Sequence, residues 1–584
     1  MKSFFRIFFA SLLALVVFSV ISLFLMIGFI SGLASKDKAE IGNKAVLVID
    51  LSTHYPEIAE ENPLPSFGGE ERYDVPSLYD VVRLISKAKS DSAVKGIYIK
   101  TGYNSNGFGS SEEIRKALTD FKTSKKFVYA YADIITQRAY HVANIADRIY
   151  CNPKGGVDWR GFSAQLAFIK GTLQKLEIEP QIFYAGKFKS ATEPFRESQM
   201  TDANRLQTTE LLYDLYNHFL SGASSTRNLD TATLKRYADQ NLVQYPADAL
   251  RYKLVDGLRY DDEVQDEIRQ KLNVNKQAKL NFISIGKYAA AVDFKQSGND
   301  KIAVIYASGD IVDGKGSTDQ IGGDNYRNLI RKVRMDKTIK AIVIRVNSGG
   351  GSALASENIW REVKLAQKEK PVVVSFGDVA ASGGYYMACG ADSIFAQPNT
   401  ITGSIGVFSL LPNMERFFNN KLGVTFDGVK TSENADALTV VKPLTPMQKQ
   451  YIQNEVDTIY HDFKSRVAEG RKKSMPYVDS IGQGRVWSGN RALQLGLIDK
   501  IGGLNDAVAS AATLAKVKDY RLREYPEPAG FFDKYFEDFR ENAKNRAITE
   551  ELGADGVKTY SALKKVKQLL GITQARMPFE FVIE

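Results

Sequence analysis

Cysteine is almost absent: Cys151 and Cys389 are the only two in 584 residues. They fall at unmatched places of an internal repeat, so the chain is not a disulfide scaffold. Histidine is scarce as well. His54, His141, His218 and His461 come with no companion aspartate pattern that specifies a catalytic triad. Neither GxGxxG nor GxxxxGKS or GxxxxGKT occurs, which sets aside the glycine-loop nucleotide sites. Neither sign of charge dominates. Lysine and arginine number 77 against 68 aspartates and glutamates, a net charge of +9, and so small an excess over this length indicates no specific nucleic-acid partner.

Charge is missing altogether between Ile7 and Ala34, where the sequence reads IFFASLLALVVFSVISLFLMIGFISGLA. At roughly 1.5 Å rise per residue, a helix over this run spans the ~30 Å hydrocarbon layer of a bilayer. Residues 1–40 are therefore expected to form an N-terminal transmembrane helix. A cleaved signal peptide is the alternative, with small residues at Ser31, Gly32 and Ala34. Lys2 and Arg6 favour an inside N-terminus, so the expectation is a single-pass protein of the bacterial cytoplasmic membrane, in contact with membrane lipid, its bulk on the extracytoplasmic side.

Beyond residue 40 the sequence is that of a duplicated α/β chain. The first copy contains DSAVKGIYIKTGYNSNGFGSSEEIRKAL and KKFVYAYADIITQRAYHVANIADRIYCNPKGG; the second contains DKTIKAIVIRVNSGGGSALASENIWREV and KPVVVSFGDVAASGGYYMACGADSIFAQPNT. Sustained register pairs Asp91 with Asp336, Tyr140 with Tyr385 and Asp147 with Asp392, which marks duplication rather than shared composition. Unbroken Val and Ile runs such as AVLVI, KGIYIK, IAVIY and KAIVIRV, separated by helical patterns, fit strands of buried parallel sheets. The expected divisions are 1–40 for the anchor, 41–275 for the first repeat, 276–295 for a connection, 296–525 for the second repeat and 526–584 for a helical extension.

The copies carry different reactive residues. Ser382, in VAASGGYYMACGAD, aligns with Gln137 of the first copy. A strand, a small-residue turn and a helix around it can expose a serine oxygen, although a helix-capping serine fits the same pattern. Serine needs a proton acceptor to attack a carbonyl, and a lysine becomes one when desolvation lowers its pKa from ~10.4. Lys189 in YAGKFKSATEP is a candidate, with Lys187 two positions away. On an extended segment both face one side, so periodicity does not choose between them. NSGGGS at 347–352 follows a strand and can turn backbone N–H groups toward a developing oxyanion, with Gly350 and Gly383 as candidate donors.

The combined pattern closely resembles the signal peptide peptidase A family, also called protease IV, in its long duplicated form. GKFKSATEPF resembles the lysine-bearing motif and implies Lys189, not Lys187, as general base; ASGGYYMA implies Ser382 as nucleophile; TGSIG implies Ser404 as the hydroxyl that orients the lysine. Where the family commonly has DSPGGS, this chain has NSGGGS, with Asn347 and Gly349 departing and Gly350 retained. The resemblance implies duplicated caseinolytic protease/crotonase-like domains and a membrane-anchored Ser-Lys serine endopeptidase. It also implies a homo-oligomer, expected as a homotetramer, that degrades cleaved signal peptides and other apolar peptides without metal or cofactor. The competing readings are a crotonase-like acyl-processing enzyme and a noncatalytic membrane scaffold.

Overall fold

Val- and Ile-rich runs form strands buried on both faces, as in Ile339–Ser348, whose side chains are almost all enclosed. The computed structural model describes residues 2–34, 40–59, 75–527 and 573–577. Each copy builds one largely parallel sheet. In the first, the order is Gly257–Leu258, Arg148–Val157, Phe127–Ile135, Val94–Lys100, Ala45–Asp50 and Phe282–Ser284, with every neighbouring pair parallel. In the second, Val372–Ala381, Ile339–Ser348, Asp300–Ser308 and Tyr520–Tyr525 follow in the same sense. Parallel neighbours require crossovers, and Ala353–Gln367 is the helix that carries the chain from Ile339–Ser348 to Val372–Ala381.

The duplication reaches individual hydrogen bonds. Tyr140 Oη donates to Leu254 O at 2.7 Å and Tyr385 Oη to Leu497 O at 2.8 Å. Asp147 and Asp392 each accept from a strand N–H at 2.8 Å, those of Val128 and Val372. Asp256 and Asp499 likewise accept from Ile149 and Ile394, and each carboxylate pairs with an arginine, Arg227 or Arg471. These two aspartates tie helix ends to strands.

A third sheet joins the copies. Its order is Gln320–Gly322, Asp310–Val312, Gly350–Ser352, Gln574–Arg576, Val407–Asn413 and Glu179–Ala185. Glu179–Ala185, from the first copy, runs antiparallel to Val407–Asn413 in an unbroken register from Val407 opposite Ala185 to Asn413 opposite Glu179. This pairing carries the chain segment after Ala185 into the second copy.

The N-terminal expectation is corrected. A helix, Lys2–Ala34, does occupy the uncharged run, yet among the described residues no helix is long and apolar enough to cross a membrane. The described side chains of that helix form one unbroken stretch over 6–22. Apart from Phe4 and Glu40, the other side chains of the expected 1–40 anchor lie outside the described ones. The transmembrane helix in the fold class, the single-pass topology, the lipid partner, the membrane-anchored form of the enzyme and its extracytoplasmic placement fall with it. The expected helical extension at 526–584 lies outside the described residues except for 526–527 and 573–577, and the latter supply a strand, Gln574–Arg576.

Candidate active site

Ser382 stands between strand Val372–Ala381 and helix Gly383–Ala388 with φ 54° and ψ −115°, a backbone region that residues with a Cβ seldom enter. Its N–H donates to Gly403 O at 2.8 Å and its carbonyl accepts from Tyr386 N–H at 2.7 Å, so the turn is held from both ends. The side chain makes no capping bond to the helix that it precedes. Instead its Oγ accepts from Lys189 Nζ at 2.9 Å. The capping alternative left open by the sequence therefore gives way to a serine–lysine contact.

Lys189 reaches this point because the lysine strand ends early. Glu179–Ala185 stops before Gly186, whose φ of 101° turns the chain, and a short 3₁₀ turn, Ser190–Thr192, follows. The segment 186–189 is consequently not extended, and the two lysines separate. Lys187 is exposed and lies over the Phe188 ring; Lys189 is 1% exposed. A loop of the second copy clasps it: Phe188 N–H donates to Gln483 O at 2.8 Å, and a Cβ on Gly484 would stand 2.7 Å from Lys189 Cα. From the first copy, Gln207 Nε2 donates to Phe188 O at 2.9 Å and to Ser190 Oγ at 2.8 Å.

The Lys189 Nζ has hydroxyl and carbonyl neighbours. Nζ donates to Ser404 Oγ at 3.1 Å and to Ser404 O at 3.4 Å, besides Ser382 Oγ. Burial pushes its pKa well below the ordinary lysine value, because the charged form is desolvated. Ser404, itself at φ 51°, is fully buried, and its N–H donates to Arg485 O at 2.7 Å.

Gly350 and Gly383 meet beside Ser382: a Cβ added to Gly350 would lie 2.7 Å from Gly383 N. Gly383 opens its helix, where backbone N–H groups have no intrahelical acceptor. Gly350 N–H donates to Ser348 Oγ at 3.1 Å, a contact that the glycine pattern did not foretell. In the first copy the equivalent place is closed. Gln137 accepts from Gly161 N–H and donates to Gly161 O, both at 2.9 Å, filling the position that Ser382 occupies in the second.

A model of peptidase family S49 matches residues 120–275 and 364–518. The chain belongs to peptidase family S49. Protease 4 of Salmonella typhi is 36% identical over 472 residues, covering 79% of this chain and 76% of that one. Protease 4 of Haemophilus influenzae is 35% identical over 512 residues, covering 85% and 83%. The chloroplastic serine protease SPPA of Arabidopsis thaliana is 33% identical over 455 residues, covering 76% and 67%. As a member of family S49 the protein is a serine protease, and its substrates are peptides.

Among the described residues one group has the composition of a metal site: Glu112, His141 and His218. It belongs to the first copy and its members are bonded to one another, His141 Nε2 at 2.8 Å and His218 Nε2 at 3.2 Å from the same Glu112 oxygen. Arg115 stands 3.7 Å from the other oxygen. A hydrogen-bonded packing cluster accounts for these contacts. Sequence reasoning missed the Gln483–Arg485 loop, Ser348 and strand Gln574–Arg576; only the glycines of GQGR hinted at a special turn.

Proposed function

We propose that this S49 protease cleaves peptide bonds with a Ser382–Lys189 dyad, Ser404 positioning the lysine and Gly350 and Gly383 stabilising the oxyanion. The observation that carries the reading is the 2.9 Å contact between two fully enclosed side chains, Ser382 Oγ and Lys189 Nζ, drawn from different copies. Desolvation lowers the Lys189 pKa and so favours the neutral amine, which within hydrogen-bond reach of a hydroxyl serves as a general base.

In the first step Lys189 Nζ takes the Ser382 proton as Oγ bonds to the substrate carbonyl carbon. Gly383 N–H and Gly350 N–H, the latter turned from Ser348 Oγ, hold the resulting oxyanion. Collapse expels the amine, which takes the proton from Lys189. Lys189 then deprotonates water, which releases the acyl group from Ser382. Asn347 and Gly349, which stand where DSPGGS has aspartate and proline, leave the proposed donors in place, since those donors are backbone groups.

Cleaved signal peptides and other apolar peptides are the substrate class we assign, and a homotetramer the assembly; both rest on the family resemblance. A crotonase-like acyl-processing role gives the Ser382–Lys189 contact no task. The test compares peptide hydrolysis by the native protein, Ser382→Ala and Lys189→Ala, with assembly followed by size. Turnover should fall at least about a thousandfold in both variants while size is kept. Native-like turnover in either would reject that residue's role.

A further inference from the structure

Lys189 is the central residue of an inverse γ-turn. Its φ of −74° and ψ of 71° fall in the energy minimum of that turn, and Ser190 N–H donates to Phe188 O at 2.8 Å across it. The turn sets the direction in which the side chain leaves the backbone, and so whether Nζ meets Ser382 Oγ.

Gln207 fastens the turn from outside. Its Nε2 donates to Phe188 O at 2.9 Å and to Ser190 Oγ at 2.8 Å, while its Oε1 accepts from Val486 N–H at 3.3 Å. One amide thus holds the residue before the lysine, the residue after it, and the first residue beyond the Gln483–Arg485 loop of the other copy. The backbone partners fix which way the amide points, since a carbonyl oxygen only accepts and an N–H only donates.

The helix that carries Gln207, Asp202–Arg227, turns Asn204, Gln207, Thr208, Leu211 and Leu215 inward, the spacing of a single helix face. Leu211 and Leu215 join Ala381 and Val486 in an apolar cluster. The part of the face beside the lysine turn is polar instead, although Asn204, Gln207 and Thr208 are all buried. Buried amides are tolerated where their polar atoms are bonded, and here the bonds run to the turn. Asn204 Oδ1 lies 3.4 Å behind the Gln207 Nε2, and its Nδ2 donates to Glu193 at 2.8 Å. The charged groups around the turn have other partners. Glu193 also accepts from Thr201 Oγ at 2.6 Å, Arg485 lies over the Phe188 ring and pairs with Glu210, and Lys187 is exposed.

We propose that Gln207 is a positioning residue of the dyad: it locks the γ-turn that aims Lys189 at Ser382 and ties that turn to the second copy. The inference rests on the dyad reading, and Gln207 acts through Lys189 rather than on the substrate. Without the amide, Phe188 O and Ser190 Oγ lose a buried donor, the turn opens, and Nζ exchanges its 2.9 Å contact with Ser382 Oγ for water. A hydrated lysine holds its proton more tightly than an enclosed one.

The experiment measures kcat, KM and the pH dependence of kcat/KM on an apolar peptide for the full-length native protein, Gln207→Leu, Gln207→Glu and Ser382→Ala, with size and thermal unfolding followed for each. Gln207→Leu should lower kcat about tenfold to a hundredfold with KM within about twofold, and should move the rising limb of the profile to higher pH. Gln207→Glu keeps the shape of the side chain and should move the limb further. Once ionised, its carboxylate cannot donate to Phe188 O, and its charge favours the ammonium form of the lysine. A lower melting temperature with kcat and the limb at native values assigns Gln207 to packing and overturns the proposal, as does a fall in kcat with the limb unmoved. Failure of both variants to fold also overturns it. Native-like Gln207 variants beside an inactive Ser382→Ala overturn this inference and leave the dyad standing, whereas turnover in Ser382→Ala overturns both.

Discussion

In the proposed dyad, burial is what suits Lys189 to act as a base, since it lowers the lysine pKa. Its sequence neighbours offer nothing that distinguishes it from Lys187, and the family resemblance, not periodicity, pointed to the one that reaches Ser382. The turn at Gly186 is the physical reason: it breaks the strand and sends one lysine inward and the other to solvent. Because the Lys189 pKa is lowered, peptide hydrolysis should rise with pH along a limb centred well below the ~10.4 of a free lysine, read from kcat/KM profiles. The same shift affects stability. Between its lowered native pKa and ~10.4 the unfolded lysine carries a proton that the native one lacks, so the native state gains stability as pH rises. Lys189→Met should accordingly raise the melting temperature at neutral pH, with the gain shrinking toward pH 10; a gain that does not depend on pH would contradict a neutral buried lysine. Ser404→Ala should lower kcat about tenfold to a hundredfold with KM unchanged, and Ser404→Thr should restore it.

The elements divide into those with local signals and those without. Strand and helix runs of each copy were legible because Val and Ile runs and helical patterns repeat, whereas the sequence left the start of the helix after NSGGGS between Ser352 and Ser356; Ser352 caps Ala353–Gln367, accepting from Ala355 N–H at 3.1 Å. The third sheet was not legible. Its strands come from distant parts of the chain, and short segments such as Gly350–Ser352 and Gln574–Arg576 carry no periodicity of their own. The Gln483–Arg485 loop belongs to this hidden class. Gly484 has φ 78° and touches the Lys189 backbone, so Gly484→Val should displace the lysine and cost about a hundredfold in kcat. Lys187→Ala, on the exposed side of the same turn, should leave kcat near the native value in the same assay.

At the scale of the whole molecule the copies are fastened by buried charge. Arg345 of the second copy lies 2.9 Å from Glu57 and 2.7 Å from Glu113 of the first, and also donates to Ser375 Oγ at 3.0 Å. Removing one member of such a group strands the others in a dry interior, so Arg345→Ala should cost about 3–5 kcal/mol, measured by denaturant unfolding. The duplication itself was legible in the constant register of the copies, whereas the anchor inferred from the N-terminal run was not sustained among the described residues. Since each copy supplies part of the site, the second repeat expressed alone should fold poorly and hydrolyse no peptide. Mixing Ser382→Ala with Lys189→Ala should restore nothing if both residues of a working site come from one chain. The most direct test is labelling with a serine-reactive peptidyl phosphonate, mapped by peptide mass. The account predicts a single adduct on Ser382 in the native protein and at least about a thousandfold slower labelling in folded Lys189→Met; an adduct on another serine, or equal labelling of the lysine variant, would contradict it.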